Sequence, residues 1–221
     1  MQPSGTVTLV PHVATLSDVF AFILNEATGK CVLNVGAVGG IEGYLPGGRE
    51  EWLHHRLCNV AREIVGIDID KVGIAYAAKY GVEITEANCE AMDLDRRFDV
   101  IVMSDVIEHL NAPARALQVL MRHLNHGGRL VITTPNPTDL GSVLRAILGR
   151  DMSVYYDHSV CFMPEHIQAM CNRFGYRLSG VYFFGHVDRR SRATTLKSYV
   201  GRLAGRLSRR LHASFLAVIE E

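Results

Sequence analysis

Four stretches of this sequence hold residue types that do chemistry. In "CVLNVGAVGGIEG", Cys31 to Gly43, an apolar run ends in the turn Gly36-Ala37-Val38-Gly39-Gly40. Glycine lets backbone approach a ligand closely, so such a turn suits a nucleotide-type cofactor. In "VGIDID" the Asp68 carboxylate closes another apolar run, where a charged acceptor takes hydroxyl hydrogen bonds stronger than a neutral pair would make. In "SDVIEHL", Ser104, Asp105, Glu108 and His109 follow a third run, and the ordinary pKa of imidazole suits a general base near neutrality. In "YYDHSVCFMPEH", Asp157, His158 and His166 stand among Tyr155, Tyr156 and Phe162, which could wall an acceptor.

Each of these residues also has a plainer use. A strand-end acid such as Asp68 is often a helix cap. His109 can hydrogen-bond within a helix start instead of moving a proton, and Glu108 can orient His109 or hold a metal. Adjacent residues on a helix point apart, which argues against joint ligation by Glu108 and His109. The segment around His158 is equally a connecting loop that packs aromatics on the core. His54 and His55, beside Trp52, belong either to a cofactor mouth or to a solvated face. None of the ten histidines forms H-x-x-x-H or H-E-x-x-H, so no metal site is expected.

The first turn separates two classes of cofactor. A dinucleotide fingerprint needs G-x-G-x-x-G at a helix N-terminus and an acid roughly 20 residues on. Val38 breaks the second glycine, several residues precede the next helix, and Asp68 comes later than that spacing. Pyrophosphate binding is therefore disfavoured. S-adenosylmethionine carries no phosphate; it needs backbone groups at a glycine turn for its amino-acid end and a carboxylate for its ribose hydroxyls. The turn and Asp68 supply both, and "EANCEAM" offers a polar edge beside apolar walls for adenine.

The elements that must position these residues follow from hydrophobic period. Short apolar runs alternate with helical stretches, the pattern of a parallel sheet with crossover helices. Strands are expected at 31–35, 64–68, 82–85, 98–103, 129–134, 177–184 and 214–220. Helices are expected at 17–27 with Ser17 as cap, 49–63, 70–81 between Asp70 as cap and Gly81 as stop, 111–124, 138–148 and 164–174. Residues 189–211 read as a basic amphipathic helix, with Leu196, Val200, Leu203, Leu207 and Leu211 on one stripe. The sum is a seven-stranded, doubly wound α/β domain spanning 1–221. Ligands bind such sheets outside the carboxyl ends of strands at the topological switch point, where the four chemical stretches fall.

Composition bounds the remainder. The 221 residues are 48% hydrophobic and 21% charged, with no apolar run near the roughly 18 to 20 residues that would span a bilayer. The N-terminus lacks the basic and apolar regions of a secretion signal, so a cytoplasmic protein is expected, with the option of peripheral membrane contact. Five scattered cysteines give neither a disulfide framework nor a zinc knuckle. Net charge is zero, yet residues 189–210 hold eight of the 23 Lys and Arg and no acid. Arg on one side with Leu and Val on the other is the composition of a helix lying on anionic lipid. A dimer contact or a core-packing helix with a solvated basic face is the alternative. Nucleic acid is not expected as a partner, because aromatics for base stacking are nearly absent there.

"VLNVGAVGG", "VGIDID", "ANCEAMDLDRRFDVIVMSDVIEHL" and "LNHGGRLVITTPNP" resemble, in order and spacing, the core motifs of class I S-adenosylmethionine-dependent methyltransferases. "DVIEHL" and "HSVCFMPEHIQAMCNRFGYRL" look most like the branch of ubiquinone-biosynthesis O-methyltransferases and glycan-associated methyltransferases. The resemblance implies a Rossmann-like sheet of six parallel strands and an antiparallel last strand, helices on both faces. It implies that Gly36, Ala37 and Gly40, with Asn34 behind them, line the methionine end of the cofactor. By the same mapping Asp68 holds the ribose, Ile69 packs on adenine, Asn88, Cys89 and Glu90 border the base, and Ser104 and Asp105 close the site. His109 and His158 are the catalytic candidates. The sequence departs from the pattern at Asn34, which replaces an acid, and at Val38, which replaces a glycine. The implied activity is methylation at oxygen of a small molecule, glycan or lipid-linked acceptor. Methylation of RNA or protein, or a non-catalytic cofactor-binding module, are the competing readings.

Overall fold

The computed structural model describes residues 5–9, 11–185 and 191–221. A single sheet contains β1 (His12–Thr15), β2 (Cys31–Val35), β3 (Glu63–Asp68), β4 (Thr85–Glu86), β5 (Phe98–Ser104), β6 (Leu124–Pro135), β7 (Arg177–Phe184) and β8 (Ser214–Glu220). Their order is β1-β7-β8-β6-β5-β2-β3-β4. β8 runs antiparallel to β6 and β7, and the other pairings are parallel. Six of the seven expected strands lie where expected, with the last one antiparallel, while the strand expected over 82–85 shortens and shifts to the two-residue edge strand β4. The count is eight because β1 adds itself to the edge, pairing His12 with Gly180 through Thr15 with Phe183. "HVAT" is too short to show a strand period, and only pairing with β7, distant in sequence, makes it one.

Helices cover both faces. α1 (Val19–Ala27) and α2 (Leu53–Cys58) pack Val19, Ile23, Ala27 and Leu57 onto Val32, Val100, Val102 and Val131. α4 (Pro113–Arg122) and α6 (Pro164–Phe174) pack Leu117, Leu120, Ile167 and Cys171 onto Leu33, Val35, Ile101 and Met103. Strand residues of alternate parity serve opposite faces, as the pleat requires, so β2 and β5 read as unbroken apolar runs. α3 (Lys71–Ala78), α5 (Leu140–Ile147) and α7 (Arg192–Leu207) complete the set.

Several boundaries differ from expectation for identifiable reasons. Asp18, not Ser17, caps α1, accepting from the Ala21 N–H at 3.0 Å. The helix expected over 49–63 shrinks to α2 after a short 3-10 turn, because Trp52 between them has extended backbone at φ −77° and ψ 122°. β6 begins at Leu124 and includes "NHGG", where Gly127 at φ +75° supplies the irregularity. Asp70 caps α3 as expected, through Val72 N–H at 3.0 Å. Of the basic segment, residues 189 and 190 lie outside the described residues; α7 starts at Arg192, capped by Ser191.

The chain runs β2 to β3 to β4 in one direction and resumes at β5 on the other side of β2. The switch point is thus between β2 and β5, and the crevice at their carboxyl ends is bordered by the glycine turn and by 104–109.

Candidate active site

The glycine turn is locked from below and from the side. Gly36, at φ +75°, leaves no room for a side chain, since a Cβ there would lie 2.4 Å from Val106 Cγ2. That contact sets the turn directly against the 104–109 segment. The N–H groups of Gly36 and Ala37 both donate to the Ile67 carbonyl at 3.0 Å. Asp68 Oδ2 accepts from Val38 N–H at 2.9 Å, and Oδ1 accepts from Ile69 and Asp70 N–H at 2.7 and 3.0 Å. A carboxylate offers about four acceptor sites, so Asp68 organises the turn and keeps capacity for a further hydroxyl donor.

Both departures from the motif have partners. Val38 is buried, and its Cγ1 occupies the space a Cβ on Gly73 would take, 2.2 Å away. The glycine missing from the turn is matched by a glycine on α3. Asn34 is buried too, and its amide donates to Nδ1 of buried His54 at 3.2 Å. Burial, helped by the charge of His55, holds His54 down to about 4, so it is a neutral acceptor at neutral pH. Gly66 makes room for that ring: a Cβ there would meet His54 Cε1 at 2.6 Å. Asn34, expected behind the methionine end, is therefore turned into a buried polar pair. His54 is neither at a cofactor mouth nor on a solvated face, whereas His55 meets Glu50 at 3.5 Å on the outside.

On the far side of Asp68, Ile69 presents an apolar side chain that is 67% exposed. Asn88 is exposed, and its Oδ1 accepts from Glu90 N–H at 2.8 Å. Cys89 is buried, and burial with the nearby Glu90 charge pushes its thiol up to about 11, leaving it an inert wall. Glu90 is placed differently from expectation: its carboxylate accepts from Ala112 N–H and so tethers the entry to α4. Ser104 Oγ lies 2.9 Å from Thr133 Oγ1. Asp105 takes the left-handed backbone at φ +51°, held by its N–H on the Thr133 carbonyl at 3.0 Å and by Thr133 Oγ1 donating to its Oδ1 at 3.1 Å. A non-glycine residue in that conformation needs such support, and such residues gather at functional sites.

The titratable side chains converge just beyond. Ile107–His109 form a 3-10 turn, and the loop carrying His158 is fastened to it by Ser159 and Val160 N–H groups donating to the Glu108 carbonyl at 3.0 and 3.3 Å. His109 Nδ1 lies 3.0 Å from the Asp157 carbonyl and 2.9 Å from its Oδ2. A carbonyl only accepts, so Nδ1 carries the proton and Nε2 is left as the basic nitrogen. The His109 and His158 rings meet edge to face at 4.7 Å. His158 is held below the ordinary imidazole range by burial and by His109. Glu108 is 1% exposed; Oε2 accepts from Thr134 Oγ1 at 3.0 Å, and Oε1 has no hydrogen-bond partner among the described residues. Burial, with the Asp105 charge, pushes this carboxyl up to about 7. Glu108, Thr134, Asn136, Tyr155 and His158 line a chamber of about 220 Å³.

This cluster corrects one expectation. Glu108, His109 and His158 each offer a ligand atom, all within 4.8 Å of one another, so a set able to hold a cation does exist. Neighbouring positions on a 3-10 turn, joined by a residue from another loop, escape any rule based on helical spacing. His166 does not join: its Nδ1 accepts from Met163 N–H at 3.1 Å at the start of α6. Phe162 is core, while Tyr155 packs on His158 at 5.2 Å.

With this geometry in place, the decisive comparison is with a family model described as a methyltransferase domain, which matches residues 12–179. The chain belongs to this methyltransferase family.

Relatives and solved structures agree with that membership. The methyltransferase is 24% identical over 176 residues to the ubiquinone biosynthesis O-methyltransferase of Nitrosococcus oceani, covering 72% of this chain and 70% of that one. It is 38% identical over 80 residues to a protein of Mycobacterium tuberculosis named as a probable S-adenosylmethionine-dependent methyltransferase, covering 35% of this chain and 29% of the relative. The methyltransferase thus matches less than a third of the mycobacterial protein's length. A SAM-dependent methyltransferase from Archaeoglobus fulgidus shares the fold with a TM-score of 0.58 at 17% identity, over 91% of this chain and 90% of that one. The magnesium protoporphyrin IX methyltransferase of Synechocystis, solved with bound SAH, shares it with a TM-score of 0.59 at 15% identity, over 92% and 80%.

Proposed function

We propose that this methyltransferase moves the methyl group of S-adenosylmethionine to an oxygen of a small-molecule or glycan acceptor, giving S-adenosylhomocysteine. The observation that carries the reading is the convergence, at one switch point, of the Asp68-locked turn and the Glu108–His109–His158 cluster. The residues fit the cofactor: Asp68 keeps acceptor capacity, Ile69 offers exposed apolar surface beside it, and Asn88 an exposed polar edge.

Bound here, the cofactor supplies a sulfonium methyl whose C–S bond breaks as the C–O bond forms, the electron pair leaving on sulfur. An acceptor hydroxyl must then lose its proton, and His109 Nε2 is the group whose tautomer suits it to accept. Asp157 Oδ2, at 2.9 Å from Nδ1, holds the ring and its tautomer in place. His158 and Glu108 lie behind, the carboxyl held near neutrality by burial, so a proton can be passed on without leaving a fixed charge in the chamber. Alignment of acceptor and methyl by the walls supplies the larger share of rate, on the order of several kcal/mol.

Incubation with methyl-labelled cofactor and a panel of hydroxylated acceptors tests this. Label recovered as an ether or ester methyl, with turnover lowered in His109→Ala, supports it. Label found only in RNA or protein would transfer the assignment to another substrate class.

A further inference from the structure

Beyond the proposed chemistry, α7 has an arrangement that a core-packing helix would not have. Thr194, Thr195, Ser198, Gly201, Ala204 and Gly205 turn toward the body, while Leu196, Val200, Leu203 and Leu207 stand exposed, Leu207 at 89%. A helix held only by its core does the reverse. α5, which packs beside it, also exposes Leu144, Ile147 and the adjoining Leu148. Between the two helices runs an apolar groove of about 770 Å³ lined by Leu140, Leu144, Leu196, Val200 and Leu211. The groove and the catalytic chamber share Asp139 and Ala213 as walls, so the apolar face opens beside the acid–base cluster.

Charge identifies what this face meets. Residues 140–150 hold Arg145 and Arg150, residues 191–211 hold six more bases, and neither stretch has an acid. Arg145, Arg150, Arg192, Lys197, Arg202 and Arg206 are all exposed around the apolar surface. The other two have partners: Arg209 donates to the Val13 carbonyl at 3.0 Å, and Arg210 pairs with Glu165. A two-fold dimer through this face would set these bases against their own copies, with Asp139, already engaged as the cap of α5, as the one carboxylate in the groove's lining. Leucines in place of stacked aromatics do not suit nucleic acid. No helix among the described residues is long and apolar enough to cross a membrane.

We propose that α5 and α7 together form a docking face for an anionic lipid bilayer, on which α7 lies in the interfacial plane and the catalytic chamber opens at the membrane surface. Apolar side chains enter the boundary between headgroups and chains, and the basic ring meets lipid phosphates.

Co-sedimentation of the full chain with vesicles of equal phosphatidylglycerol and phosphatidylcholine, against pure phosphatidylcholine, tests the proposal. Binding to the anionic vesicles should exceed that to neutral ones at least tenfold and weaken with salt. The double variant Leu203→Glu/Leu207→Glu should lose it, and Arg202→Glu/Arg206→Glu should weaken it by about fivefold or more per charge removed. Both variants alter exposed side chains, and unchanged thermal unfolding serves as the folding control. Absence of anionic-vesicle binding, equal binding by the leucine variant, or a vesicle-free dimer that the leucine variant dissociates would overturn the proposal. Docking needs no cofactor, so its failure is distinguishable from failure of the methyl-transfer reading.

Discussion

Glu108→Gln is expected to change how stability depends on pH, by an amount the structure sets. In the folded protein this carboxyl titrates at about 7 against an ordinary 4.5, because it is buried beside Asp105 with one oxygen unpartnered. Below 4.5 the group is protonated in both states and its full contribution is present. As pH rises the unfolded chain ionises first, and that contribution is lost progressively until the folded group also ionises near 7. The difference of pKa corresponds to about 3 kcal/mol at 1.36 kcal/mol per unit. Glutamine keeps the shape and an acceptor for Thr134 but does not titrate. Urea unfolding of both proteins from pH 4 to 8.5 should therefore show the native chain losing about 3 kcal/mol relative to the variant across that window. His54 contributes a slope of opposite sign, present above its unfolded value and lost as pH falls toward about 4, but it is common to both proteins and cancels in the difference. A difference that stays flat with pH, or rises for the native chain, would refute the placement of Glu108 as a buried, near-neutral acid.

Three other substitutions test separate parts of the site. His109→Ala should lower turnover by about 10²-fold or more with cofactor affinity unchanged by calorimetry, since it removes the proton acceptor and not the cleft. Asn34→Asp sets a carboxylate against buried His54; the imidazole pKa, followed by NMR, should rise from about 4, and stability at neutral pH should fall by on the order of 1–3 kcal/mol. Gly73→Ala drives a methyl into Val38 and should cost about 1–3 kcal/mol in denaturant unfolding, with part recovered in Gly73→Ala/Val38→Ala.

What could be read in the sequence was what local pattern controls. Six of the seven strands from Cys31 onward carry apolar runs, β4 being the polar pair Thr85–Glu86; Asp70 announces α3, and the antiparallel last strand came with the resemblance. What escaped depends on pairings across the chain. β1 exists through β7, the His109–Asp157 bond joins residues 48 apart, and the Val38–Gly73 and Asn34–His54 pairs explain two apparent defects of the first motif as exchanges between neighbouring elements. Trp52 splits a helix that its period would have continued: its backbone is extended between the 3-10 turn and α2, and its indole N–H donates to the Ala37 carbonyl at 3.1 Å. The stripe on α7 was visible as composition, but its direction, outward, was set by the small residues opposite it.

Binding of S-adenosylmethionine at the turn and Asp68 is measured directly by isothermal calorimetry. The native chain should bind the cofactor and its demethylated product with one site per chain, and Asp68→Ala should weaken both by at least about tenfold, since it removes a charged hydrogen bond worth about 1.5–3 kcal/mol along with the acceptor that holds the turn. No heat of binding at millimolar cofactor, or full affinity retained in Asp68→Ala, would contradict it.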